Sequence, residues 1–296
     1  MTLLLLFGTV TAGVVVARAA VVRLVERRDA SRPRNARGEL VGAEGFVLDR
    51  PGAPAALLLH GAGDTPQTLR ELGGYLHARG FAVMAPVLPG HGRSVRDFRR
   101  VTAAAWRGAV LAAYDELGAG RPWIGIVGLS MGGALAAITA LERPETGALV
   151  LLAPYLGVPS GLRLAAALSR VANLFSPYFS SEDRRSIRNP EAAARGLAYG
   201  VFTPAAMRAL RKTADAGAAA LPYIRSPTLI VQSRQDNRVA AVVAERAYAH
   251  LGATDRNLEW VSDGGHVITV DYGKERVFAL TADWLAAHGA AALLRS

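Results

Sequence analysis

The pentapeptide Gly128-Leu129-Ser130-Met131-Gly132 constrains this chain more than any other stretch. It follows the apolar run Trp123 to Val127 and precedes small residues from Gly133 to Ala140. Strand, sharp turn and helix are the expected order, and in that setting a serine flanked this way is a nucleophile elbow. The turn forces Ser130 into a strained backbone conformation, and side chains at 128 or 132 would crowd the strand and helix beside it. The serine is pushed above the sheet edge at a helix N-terminus, which favours negative charge. On its own the motif also reads as a helix N-cap serine after a strand. The rest of the chain has to decide.

Other apolar runs surround the elbow in sequence. Ala55 to Leu59, Phe81 to Ala85, Leu149 to Ala153 and Thr228 to Gln232 read as strands, with Phe46 to Leu48 before them and Leu258 to Val261 after them. Most are apolar throughout, as buried parallel strands are. Helices are expected between them: one opening at Asp64-Thr65-Pro66 and stopped by Gly80, then Thr102 to Leu117, Ala240 to His250 and about Lys274 to His288. This alternation implies an α/β fold, a mostly parallel sheet with helices on both faces. It pauses from Tyr155 to about Tyr223, where helix-prone segments are broken by Pro159, Pro177, Pro190 and Pro204 and no strand is evident. The expected organisation is a core over 39–154 and 223–296, with a small helical cap inserted over 155–222. Leu162, Leu164, Leu168, Val171, Leu174 and Phe175 either line an apolar channel in that cap or pack it onto the core.

The first 38 residues stand apart. Thr2 to Ala17 carry no charge, and with Ala19 to Val22 the run reaches the length of a bilayer-spanning helix, interrupted only by Arg18. Arg23, Arg27 and Arg28 follow, so the positive-inside rule places the bulk of the chain in the cytoplasm behind a membrane anchor at residues 2–22. A cleaved signal sequence, or a helix packed on the protein, are the alternatives. Asp29 to Gly38 reads as a linker.

Composition excludes several classes. There is no cysteine among the 296 residues, hence no disulfide and no thiolate nucleophile. The net charge is +10, but the basic residues are almost all arginine and are scattered, apart from a cluster between Arg18 and Arg37. Without a basic stripe interleaved with aromatics, nucleic acid is not an expected partner. H-E-x-x-H, Walker A and G-x-G-x-x-G patterns are missing, so neither metal nor cofactor is expected.

A serine hydroxyl needs a base to take its proton, and the base needs an orienting acid. Of the six histidines, His266 follows the last strand, while His60 and His91 fall on loops at the same edge. His77, His250 and His288 lie on helices. His91 suits bracing its own Gly-rich loop. Asp236, after the strand ending at Gln232, is the preferred acid; Asp263 and Asp271 are too near His266 along the chain. The order serine, acid, histidine is that of the α/β-hydrolases.

The chain resembles the bacterial carboxylesterases close to monoacylglycerol lipases. The resemblance is carried by Leu57 to Gly61, Leu88 to Gly92, Gly128 to Gly133, Pro227 to Gln232 with Asp236, and Gly265 to Thr269 with Asp271. It implies Ser130 as nucleophile, His266 as base, Asp236 as its partner and the Ala62 and Met131 amides as oxyanion donors. It also implies a cap admitting acyl chains and a small-molecule ester or acyl substrate. Ala62 stands where a bulky apolar residue is frequent, and Gly265 replaces a frequent serine. Thioesterase, amidase and acyltransferase readings share the triad, and a non-catalytic binding protein on the same scaffold is the reading from another class.

Overall fold

A computed structural model of the chain describes residues 2–181 and 186–293, with side chains from 13 to 289. In chain order its elements are α1 (Thr2–Ala30), β1 (Phe46–Leu48), β2 (Ala55–Leu59), α2 (Arg70–Ala78), β3 (Ala82–Ala85), α3 (Ala103–Gly118), β4 (Ile124–Leu129), α4 (Met131–Glu142) and β5 (Ala148–Leu152). Then come α5 (Ser160–Phe175), β6 (Phe179–Ser180), α6 (Pro190–Arg195), β7 (Val201–Phe202), α7 (Pro204–Ala220), β8 (Thr228–Ser233), α8 (Ala241–His250), β9 (Arg256–Val261) and α9 (Lys274–Leu293).

Among the described residues one seven-stranded sheet runs in the order β1-β3-β2-β4-β5-β8-β9. β1 is antiparallel to β3 and every other neighbouring pair is parallel. Successive side chains of a strand point to opposite faces. Leu57, Leu59, Ile126, Leu149 and Leu151 therefore pack in one cluster with Trp106 of α3, Leu135 of α4 and Leu210 of α7. Ala56, Leu58, Val127, Val150 and Leu152 pack in the other with Leu72 and Leu76 of α2 and Phe278 and Leu285 of α9. Both faces are covered, which is why these strands show no polar alternation in sequence. Each fully buried leucine contributes on the order of 2 kcal/mol.

The helix starts follow from local chemistry. The Thr102 hydroxyl accepts the Ala105 N–H at the start of α3, and the Thr203 hydroxyl accepts that of Ala206 at the start of α7, with Pro204 in the first turn. Between β5 and β8 lie α5, α6 and α7, and also β6 and β7, which pair antiparallel. Strands of two residues have no readable period, so the sequence showed none there. α7 packs on α4 as well as α5. The approach is close: a Cβ on Gly217 would stand 2.9 Å from Ala134 Cα.

The apolar stripe of α5 departs from both sequence expectations. Leu162 is half-buried against the core, but Leu164, Leu168, Val171, Leu174 and Phe175 are all more than half exposed. They neither pack onto the core nor sit enclosed.

The expected membrane anchor is overturned: among the described residues no helix is long and apolar enough to cross a membrane. The cytoplasmic placement and the membrane association through residues 2–22 fall with it. α1 is 29 residues long, but from Gly13, where its described side chains begin, it carries Arg18, Arg23, Glu26, Arg27, Arg28 and Asp29. The apolar run at 2–12 lies outside the described side chains. The end of α1 is held by polar contacts with the body. Glu26 pairs with Arg96 at 2.6 Å and accepts the Tyr178 hydroxyl at 2.9 Å. Asp29 accepts the Val95 N–H at 3.1 Å and pairs with Arg34 at 2.8 Å. The stretch read as a linker is also fixed, since Arg32 donates to the carbonyl of Leu197 at 2.7 Å.

Candidate active site

Each residue expected at the site follows the carboxyl end of a strand. Ser130 follows β4, Asp236 comes shortly after β8, His266 after β9, and the His60–Gly63 turn follows β2. In open parallel sheets that edge is where ligands bind.

Ser130 has φ 56° and ψ −116°, in left-handed space that a residue with a Cβ avoids. Its N–H donates to Leu152 O at 2.9 Å, and its carbonyl accepts the Gly133 and Tyr155 N–H groups at 2.9 and 3.0 Å. Three neighbours hold the strained turn. The glycines beside it answer to space: a Cβ on Gly132 would lie 2.1 Å from Leu59 O, and one on Gly128 would lie 2.2 Å from Gly132 O.

His266 Nε2 lies 2.8 Å from Ser130 Oγ, and Nδ1 lies 2.8 Å from Asp236 Oδ2. Burial alone would raise the Asp236 pKa. The facing His266 ring, its hydrogen bond and the Val239 and Arg238 N–H groups outweigh burial and hold the carboxyl below its ordinary range. An ionised Asp236 accepts from Nδ1–H, which leaves Nε2 free to accept the serine proton. The backbone of His266 is fixed by Ser186, whose carbonyl accepts the His266 and Val267 N–H groups at 2.8 and 3.1 Å.

The alternative acids take other parts. Asp271 accepts four backbone N–H groups, from Gly265, Arg188, Asn189 and Tyr272, at 2.7 to 2.8 Å. It thereby ties the loop before His266 to the segment between β6 and α6. Asp263 is exposed. The glycine at 265 has a steric reason, because a Cβ there would stand 2.7 Å from Ser186 O.

The His60–Gly63 turn lies against the serine: a Cβ on Gly61 would be 3.8 Å from Ser130 Oγ. Ala62 is half-buried and Met131 fully buried. His60 and His91 are buried behind the turn with ring centroids 4.9 Å apart. Nε2 of His60 accepts the Leu88 N–H at 3.1 Å, and Nε2 of His91 accepts the Gly63 N–H at 2.9 Å. Nδ1 of His91 donates to its own loop, at Leu88 O and Pro89 O. The expected bracing role of His91 thus extends to a second loop. Desolvation lowers the His60 pKa to about 4. Desolvation, with His60 beside it, takes His91 well below 6.5. His77, His250 and His288 lie on α2, α8 and α9, with His250 exposed and the other two half-buried.

Gln232 was passed over in the sequence. Its Nε2 donates to Asp236 Oδ2 at 2.9 Å, the oxygen that also accepts His266 Nδ1–H. The signal in the sequence was a lone amide near the end of an otherwise apolar run, and such a group needs a polar partner once the strand is buried.

A mostly parallel sheet wrapped on both faces, with a strained elbow serine, an acid and a histidine meeting at its carboxyl edge, defines an α/β-hydrolase. Within that class the chain belongs to the Hydrolase_4 family (Serine aminopeptidase, S33), whose model matches residues 53–272. It is 30% identical over 229 residues to a carboxylesterase of Bacillus subtilis (strain 168), covering 76% of this chain and 88% of that protein. It is 28% identical over 249 residues to a thermostable monoacylglycerol lipase of Bacillus sp. (strain H-257), covering 84% and 96%. Among solved structures it is similar to one from work on LipS and LipT, two metagenome-derived lipolytic enzymes. The TM-score there is 0.78 at 28% identity, covering 83% of this chain and 98% of the other. The match to the family model begins after β1, so α1 lies outside it.

Proposed function

We propose that this protein is a serine carboxylesterase that hydrolyses carboxylic esters, monoacylglycerol-type esters among them, through an acyl-Ser130 intermediate. One observation carries the reading: the His266 imidazole stands between Ser130 Oγ and Asp236 Oδ2, 2.8 Å from each. The names of the carboxylesterase and monoacylglycerol lipase relatives support the bond type.

In this mechanism Ser130 Oγ attacks the ester carbonyl carbon while His266 Nε2 takes the hydroxyl proton. Asp236, kept ionised, holds the ring in the Nδ1–H tautomer and stabilises the imidazolium. The carbonyl oxygen becomes an oxyanion facing the Ala62 and Met131 N–H groups, where two such donors lower the barrier by several kcal/mol. His266 returns the proton to the departing alkoxide, and the alcohol leaves. Water then attacks the acyl-enzyme, His266 takes its proton, and the same steps in reverse release the carboxylic acid and restore Ser130. The segment 155–222 acts as the cap, with α7 as its fixed wall against α4.

The test is a series of p-nitrophenyl and glycerol esters of increasing chain length, with Ser130→Ala as control. Ester turnover and fluorophosphonate labelling are expected in the unmodified protein and lost in the variant with its fold intact. Undiminished turnover in Ser130→Ala would refute the mechanism. Faster turnover of thioesters or amides than of any ester would refute the substrate class.

A further inference from the structure

Away from the serine, a cavity of about 210 Å³ opens between α5, α7 and the turn at Asp97–Arg99. Arg99, Arg170 and Arg208 line it, with Asn173 and the first turn of α7. No acidic side chain lines it among the described residues.

Arg99 and Arg208 are half-buried and Arg170 is exposed, so an anion held between them would relieve whatever repulsion solvent leaves unscreened. Their present partners do not supply it. Glu26 stands 3.5 Å from Arg99, but its carboxylate is also taken up by Arg96 and the Tyr178 hydroxyl. Arg208 donates to the neutral Ser169 hydroxyl at 2.8 Å. Among the described residues the side chains of Arg170 and Asn173 make no hydrogen bond or ion pair. Charge that is surplus in three elements faces one cavity, and the positive end of a 17-residue helix points there too.

We propose that this cavity binds a phosphate group, with Arg99, Arg170 and Arg208 each donating to its oxygens. Guanidinium forks from three separate elements match an anion with three or more outward oxygens better than a carboxylate, which one fork can satisfy. The bound group bridges α5, α7 and the 97–99 turn, and so clamps the cap to the body. Arg170 and Leu174 are one helical turn apart on α5, so the site borders the exposed stripe of Leu168, Val171 and Leu174. A phosphate carrying a short acyl chain, such as a lysophosphatidate, would lay that chain on the stripe. Free phosphate would leave it bare.

The experiment is calorimetric titration of the full chain carrying Ser130→Ala, which removes ester turnover, with inorganic phosphate, with acetate at matched ionic strength, and with hexanoyl lysophosphatidate below its micellar range. Saturable phosphate binding is expected, weakened about tenfold or more in Arg170→Ala and in Arg208→Ala. Acetate should not bind measurably. Equal affinity for phosphate and the lysophosphatidate supports the site with the free anion as ligand. Lysophosphatidate binding at least about tenfold tighter supports it with the acylated ligand. Absence of binding by both, binding unchanged in the two variants, or acetate binding as well as phosphate would overturn it. Ester turnover is measured separately with Ser130 in place, so failure here leaves the hydrolytic reading untouched.

Discussion

His91 accepts the Gly63 N–H through Nε2 at 2.9 Å, across 28 positions of sequence. One buried ring thereby joins the Pro89–Gly92 loop to the His60–Gly63 turn that lies against Ser130. His91→Ala should leave two loops without their shared support and a cavity behind them. Stability is expected to fall by ~2–4 kcal/mol. In the folded fraction kcat should fall about tenfold or more with KM little changed, because the Ala62 N–H proposed as oxyanion donor is displaced while the rest of the site remains. Urea unfolding and steady-state kinetics read the two effects separately.

Acid should destabilise the fold earlier than its carboxylates require. Burial holds His60 neutral, with its pKa lowered to about 4, and lowers His91 well below 6.5. Unfolding exposes both rings, so below about pH 6.5 the unfolded chain binds more protons than the native one. Stability is therefore lost as pH falls from about 6.5 towards 4. His60 alone accounts for roughly 1 kcal/mol per pH unit in that window, and His91 adds in the same direction. Denaturant midpoints at pH 7 and pH 5 check this; equal midpoints would mean that the rings are not kept neutral.

Replacing the elbow serine separates strain from chemistry. Ser130→Gly and Ser130→Ala should both be inactive. At φ 56° glycine is unstrained and alanine is not, so the glycine variant should be the more stable by ~1–2 kcal/mol. Paired thermal melts decide it.

Gly132→Ala should be far more damaging than its chemistry suggests. The new methyl would lie 2.1 Å from Leu59 O in an adjacent strand, with no side chain able to turn aside. A loss of roughly 3 kcal/mol, with reduced soluble yield, is expected.

Gln232→Leu tests the support of the acid. Asp236 would keep His266 and the Arg238 and Val239 N–H groups but lose the 2.9 Å donor on Oδ2. The expected outcome is a drop in kcat of about tenfold with KM unchanged, and a shift in the pH–rate profile that a purely structural role would not cause.

Much of the fold was legible because a strand buried on both faces must be apolar along its length, as Leu57 to Leu59 and Leu149 to Leu152 are. Ser130 and Asp236 come just beyond such runs, whereas His266 follows β9, a partly exposed edge strand carrying Arg256, Asn257 and Glu259, and was legible from its place after the last strand. The β6–β7 pair was not, since two residues carry no period. The use of Asp271 and Gly265 was hidden because their partners, at Ser186 to Asn189, are some eighty positions away in sequence. α1 misled because its uncharged start was weighed more heavily than the charges that follow it from Arg18. The telling residues were Glu26 and Asp29, two acids set among arginines.

Those two acids have a kinetic consequence. Asp29 receives the Val95 N–H and Glu26 holds Arg96, so the last turns of α1 cannot fray without uncovering the backbone just after the Gly-rich loop. Deuterium uptake at Val95 and cleavage after Arg27 or Arg28 by a trypsin-like protease should then rise and fall together, as two readouts of one local opening.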